Sequence, residues 1–178
     1  MAVKLINPPV EMAVSLQMAR TAARVNGSAL DDEIRVNVGS ATKEAEHHTG
    51  RVFIDRTFQI TLDGLCGDIE APPSAREVIN FVYIDENGDA QELDAADFAL
   101  DDTGRFITPA FGKAWPATRS QIRAVAVDVV CGYGPTEATV PDAVKGYILA
   151  RLHEMYAAPG TPTSPFLKLG LDALKDYS

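Results

Sequence analysis

Residues 44–62 read Glu-Ala-Glu-His-His-Thr-Gly-Arg-Val-Phe-Ile-Asp-Arg-Thr-Phe-Gln-Ile-Thr-Leu, and within them the apolar period changes. Up to His48 the apolar positions Ile34, Val38, Ala41 and Ala45 recur at three- and four-residue spacing, the stripe of a helix. Gly50 stands where a left-handed closing residue is needed. From Thr57 onward Phe58, Ile60 and Leu62 alternate with Thr57, Gln59 and Thr61, the pattern of a strand with one wet face. The chain is therefore helical before this junction and β-rich after it.

On the amino-terminal side the spacing predicts an extended Pro-containing arm and then a helix over about 15–25. Ser15 is its N-cap, Leu16, Met18, Ala19, Ala22 and Ala23 its stripe, and Asn26-Gly27 its stop. Asp31 or Asp32 is expected to cap the second helix, about 32–49; the Val-Asn-Val-Gly-Ser stretch at 36–40 is weak helix material within it. On the carboxyl side Val78 to Ile84 is expected to be a central strand, because both its faces are apolar apart from Asn80. Asn87-Gly88 signals a hairpin turn. Short strands are expected near 91–93, 98–100 and 105–108, and a valine-rich strand over Gln121 to Cys131. A long helix over about 141–157 follows, with Pro141 in its first turn and Val144, Tyr147, Ile148, Leu152, Met155 and Tyr156 as its stripe.

Strands grouped between helices, instead of alternating with them, indicate α+β: a helical core of two amino-terminal helices and one long carboxyl-terminal helix, with a β-rich antiparallel insertion over about 52–131. The expected organisation is one domain over 1–158, then a Pro-rich linker and tail over 159–178. A chain of 178 residues can bury roughly 70% of its unfolded surface and needs no metal or disulfide staple. Cys66 and Cys131 lie far apart and suit free cysteines in a reducing cytoplasm, a disulfide between them being the alternative. The amino terminus lacks a signal-peptide core, and no run approaches the roughly 18 apolar residues of a membrane span.

The formal net charge of −9 argues against a reader of nucleic acid, which needs clustered cations. It is compatible with a wall past which DNA slides. The charge is also uneven. Residues 85–102 hold Asp85, Glu86, Asp89, Glu92, Asp94, Asp97, Asp101 and Asp102 with no base, whereas residues 103–127 hold Arg105, Lys113, Arg119 and Arg123 with no acid.

Chemistry finds little to work with. His47 and His48 are adjacent and cannot both face one ion, and Glu44 with His48 supplies only two ligands. His153-Glu154 lacks the second histidine of a zinc-protease helix, since position 157 is Ala157. Asp85, Asn87 and Asp89 begin like a calcium loop, but Ala90 and Ala96 stand where glycine and glutamate are required, so a hairpin explains them better. Cys131-Gly-Tyr-Gly134 is followed by proline, not by the Lys-Ser/Thr of a phosphate loop. The spacing offers no catalytic, cofactor or metal site, and no enzyme is expected. Trp115, beside Pro116, reads as a packing anchor in preference to a base-stacking platform.

Four motifs in order do suggest a family. Thr49-Gly50-Arg51, Phe111-Gly-Lys-Ala-Trp-Pro-Ala-Thr-Arg119, Cys131-Gly-Tyr-Gly134 and Val140-Pro-Asp-Ala-Val-Lys145 resemble signatures of the head–tail connector (adaptor, head-completion) proteins of tailed phages, prophages and gene transfer agents. The resemblance spans about Leu5 to Tyr156; Asn26-Gly-Ser28 and Gly39-Ser40 depart from it, and the tail after Ala158 is not covered. It implies a helical core with a β-rich insertion. It implies a ring, commonly of twelve copies, below the portal, which gives DNA passage and a platform for a stopper or tail protein. The partners would be other copies of the chain, the portal, a stopper or tail protein and passing DNA, with no membrane. The subunit could be monomeric alone, and its place would be the host cytoplasm during assembly and then the neck. The other readings are a stopper or tail-completion protein, and a small enzyme or ligand-binding domain.

Two surfaces follow as expectations. A ring uses two different patches per subunit, and Asp85, Glu86, Asp89, Asp101 and Asp102 against Arg105, Lys113, Arg119 and Arg123 could supply them, unless the two segments neutralise each other within one subunit. In the tail, Phe166, Leu167, Leu169, Leu171 and Leu174 could dock on the portal or a neighbour, or cap their own core.

Overall fold

The computed structural model describes residues 1–158, 160–161, 164 and 167–175. It is a mixed α+β structure, as the change of period predicts. Contacts divide the chain into two compact units, one formed by residues 1–8 and 55–132 and the other by 9–54 and 133–178. Residues 133–178, which include the expected tail, fall in the second unit.

The first unit is β-rich. Its strands are β1 (Ala2–Asn7), β2 (Arg56–Leu62), β3 (Ile69–Glu70), β4 (Ala75–Ile84), β5 (Ala90–Glu92), β6 (Phe98–Leu100), β7 (Phe106–Pro109) and β8 (Val125–Cys131). A five-stranded antiparallel sheet has the order β1-β2-β8-β4-β5, and a three-stranded antiparallel sheet the order β3-β7-β6. The centre of the larger sheet is β8. Its Val125, Val127, Val129 and Cys131 are buried and match Ile60 on β2 and Phe81 on β4, which are also buried. On the other face Asp128 accepts hydrogen bonds from Gln59 Nε2 at 2.8 Å and Asn80 Nδ2 at 3.0 Å, so the polar row is satisfied across three strands.

Four sequence expectations change here. The arm at the amino terminus is a strand, because Val3-Lys4-Leu5 pairs with residues 58–60 far along the chain. A short strand, β3, was not expected at all. Val78–Ile84 lies between two strands as expected, but β5 covers only Val82–Ile84 of it, and Ile79, at an irregularity in the register, is 52% exposed instead of covered on both faces. The valine strand begins at Val125, not at Gln121. Arg123 is left-handed (φ 58°), its N–H donating to the Asp63 carboxylate at 2.9 Å, and this bend keeps the preceding residues out of the ladder.

The second unit is helical: α1 (Leu16–Ala23), α2 (Asp31–Thr49), α3 (Asp142–Met155) and the single-turn α4 (Leu169–Asp172). Ser15 caps α1, its hydroxyl oxygen accepting from the Met18 N–H at 3.3 Å. Gly50 closes α2 at φ 70°. The expected aspartate cap of α2 is absent: Leu30 occupies the N-cap, and Asp31 instead pairs with Arg20 through two side-chain hydrogen bonds. Asp31, Asp32 and Glu33 still sit at the positive end of the helix dipole. Ile34, Val38, Ala41 and Ala45 of α2 pack with Val144, Tyr147, Ile148 and Leu152 of α3 and with Phe53 in one buried cluster. Each large side chain so buried contributes about 1.5–3 kcal/mol. Among the described residues no helix is long and apolar enough to cross a membrane.

Candidate assembly surfaces

The acidic segment is organised as two carboxylate-centred turns. Between β4 and β5, Asp85 Oδ1 accepts from the N–H groups of Asn87, Gly88 and Asp89 at 2.9–3.0 Å, and Oδ2 from Gln91 Nε2 at 3.1 Å. These donors, the Asp89 N–H first, hold the Asp85 carboxyl below the usual range. Between β6 and β7, Asp101 Oδ1 accepts from the N–H groups of Arg105 at 2.6 Å and Phe106 at 2.8 Å, and Thr103 donates its hydroxyl to Oδ2. The Thr103 hydroxyl and the backbone donors bring the Asp101 carboxyl down to about 2.

The basic segment lies partly against these turns. Lys113 Nζ is 2.9 Å from Asp97, which raises the lysine pKa. Arg119 donates its N–H to the Ile84 carbonyl at 3.0 Å, and its guanidinium fills the place a Cβ on Gly88 would occupy. The structure thus brings Lys113 and Arg119 onto the acidic segment of the same subunit. Glu86, Asp89, Asp102, Arg105 and Arg123 are exposed, with the Arg105 guanidinium 5.8 Å from the Phe106 ring centroid. Trp115 is an anchor: its Nε1 donates to the Gly67 carbonyl at 2.7 Å and its ring lies 5.5 Å from Phe81. Phe111 beside it is fully exposed, which its place in an apolar-basic motif did not foretell.

The Asp101 turn makes a pH prediction. Its folded pKa, about 2, is below the unfolded value of roughly 3.9, so its contribution is complete above the unfolded pKa and is lost as pH falls through the folded one. Protection of the Arg105 and Phe106 amides from hydrogen exchange is expected to fall between about pH 4 and 2. In Asp101→Ala it is expected to be low at every pH.

The tail is tied to the helical unit. Leu171 is 0% exposed within the helical core, and Leu167 and Leu174 pack against that core. Lys168 Nζ lies 2.9 Å from Glu44, His48 Nε2 lies 2.9 Å from Asp172, and Arg51 Nε donates to the Leu174 carbonyl at 2.7 Å. Of the docking candidates, Leu167, Leu171 and Leu174 therefore cap their own core, where burial is available within the subunit; Leu169 is 59% exposed and Phe166 lies outside the described residues. Glu44, the residue nearest to a metal ligand in the sequence, is held below the usual carboxylate range by Lys168 first and also lies 3.1 Å from Arg151. Among the described residues no three His, Cys, Asp or Glu side chains converge, and Cys66 (exposed) and Cys131 (buried) are free, burial pushing the Cys131 thiol up to about 12.

No protein-family model matches the chain, and no curated protein matches it. Solved structures do. A chain in the neck of an empty GTA particle, computed with C6 symmetry, superposes with a TM-score of 0.79 at 19% identity, over 98% of this chain and 95% of that one. A chain in the virion of a native gene transfer agent (GTA) particle gives 0.74 at 19% identity, and one in the neck of a native GTA particle computed with C12 symmetry gives 0.71 at 20%, both over the same shares. Across nearly its whole length, this chain has the fold of a chain found in the neck of gene transfer agent particles.

Proposed function

We propose that the chain is a non-catalytic structural subunit of a phage-like particle, a head–tail connector that assembles as a ring in the neck. The observation that carries this is the fold match over 98% of the chain to necks treated with six- and twelvefold symmetry. The four motifs in the sequence point the same way independently. The ring sits below the portal, supports a stopper or tail protein, and lets DNA pass through its lumen. A net charge of −9 suits that passage, since a wall that repels phosphate does not hold DNA. Assembly takes place in the host cytoplasm, and the finished subunit resides in the neck. Glu86, Asp89, Glu92, Asp94, Asp102, Arg105 and Arg123 are exposed charges of the two segments available to meet a neighbouring copy, and among the described tail residues Leu169 is available to meet the portal. Cryo-electron microscopy of particles from a host carrying this gene tests the reading by locating the chain.

A further inference from the structure

The larger sheet has two open ends. Among the described residues, β1 is paired only with β2 at one end, and β5 only with β4 at the other. A strand paired on one side directs alternate N–H and C=O groups outward, where they are a template for another strand. On β5 the outward residues can be named. Asp85 N–H donates to Asp89, and Leu93 N–H to Phe81, so the odd-numbered residues face β4 and Ala90 and Glu92 face away. All three residues of β5 and most of β1 are exposed, including Val3 at 46% and Leu5 at 42%. No proline interrupts β1; Pro8-Pro9 only ends it.

The two ends are complementary in direction, face and charge. Four successive antiparallel pairings separate β1 from β5, so the two strands run the same way. Two copies laid side by side in one orientation can therefore extend the sheet by a parallel pair. Lys4 shares a face with its partner Gln59 and hence with Asp128; Glu92 shares a face with Val82, which pairs with Ala126 on that same side of β8. Lys4 and Glu92 thus lie on one face of the sheet at opposite ends, two residues out of line. Residues 1–10 carry Lys4 and no acid, while 85–102 carry eight acids and no base. Two unlike, mutually complementary edges are what a closed ring of identical copies requires.

We propose that neighbouring subunits join through these edges, β1 of one copy adding to β5 of the next, with Lys4 set against Glu92. The inference rests on the ring reading above and names the surface that closes the ring. It places the neighbour contact on strand edges and gives the basic segment 103–127 a minor share.

The test uses the full chain in particle-producing cells, with Cys66→Ser removing the exposed thiol and Lys4→Cys combined with Glu92→Cys. Purified particles are treated with a short bismaleimide and run on a denaturing gel. The expected result is a ladder of covalent multimers from the double variant and only monomer from either single variant. Necks that contain the double variant as a ring yet yield no ladder would overturn the edge pairing and leave the ring reading standing. A ladder or dimer from a single variant would also overturn it, since like edges would then meet. Particles holding one copy, or none, would overturn both.

Discussion

Leu171→Ala is expected to weaken the docking of the tail by about 2–5 kcal/mol, the range for removing a fully buried leucine. Leu171 is 0% exposed and sits in the same cluster as Ile34, Ile148 and Leu152. The structure around it is one turn of helix, held besides by Lys168, Asp172 and the Leu174 carbonyl. A segment so small can open by itself, so the loss is expected to show first as local opening. Hydrogen exchange at Leu171 and Leu174 is expected to accelerate, with proteolysis near residue 160 preceding global melting. Leu169→Ala, at 59% exposure two residues away, is expected to change stability by no more than about 0.5 kcal/mol. Equal effects from the two would contradict the placement of the tail on its own core.

Gly132→Ala is expected to lower the stability of the β-rich unit by roughly 2–6 kcal/mol, combining backbone strain with overpacking. Gly132 has φ 144°, and a Cβ there would stand 2.7 Å from Asp55 N and 2.8 Å from Asp55 Cα. Those are backbone atoms and cannot swing aside. The neighbouring contact is fixed as well, since Gly132 N–H donates to the Ser74 carbonyl at 2.9 Å. Gly39→Ala is the matched control. It lies in α2 with nothing within 4 Å of its Cβ position and is expected to stabilise by about 0.5–1 kcal/mol. Urea unfolding of the two variants checks both signs, and a wild-type midpoint for Gly132→Ala would show that the close approach to Asp55 does not exist.

Much of the fold was legible because its signals are local. The stripe from Val144 to Leu152 produced α3, Ser15 capped α1, Gly50 closed α2, and Asn87-Gly88 formed the β4–β5 hairpin. The failures share a cause: the deciding partner lies far away in sequence. Ala2–Asn7 is a strand because residues 57–61 offer it an edge, and nothing within the first ten residues announces that. Asp31 looked like a cap, but Arg20 is the stronger partner. The candidate surfaces were legible as charge and not as geometry. The sequence placed acids and bases in consecutive segments. Only the fold shows that Asp85 and Asp101 are engaged by backbone N–H groups and that Lys113 reaches Asp97. The tail leucines were legible as apolar surface in need of cover; Leu167, Leu171 and Leu174 find it on the core of their own subunit, while Leu169 stays exposed.

The central claim is that this chain builds a ring at the neck, and a neck reconstruction, without imposed symmetry, of particles made by a host carrying this gene tests it most directly. The account predicts continuous density for several copies of the α+β subunit encircling the DNA path below the portal. This chain absent from the neck, or present as one copy off the axis, would contradict it.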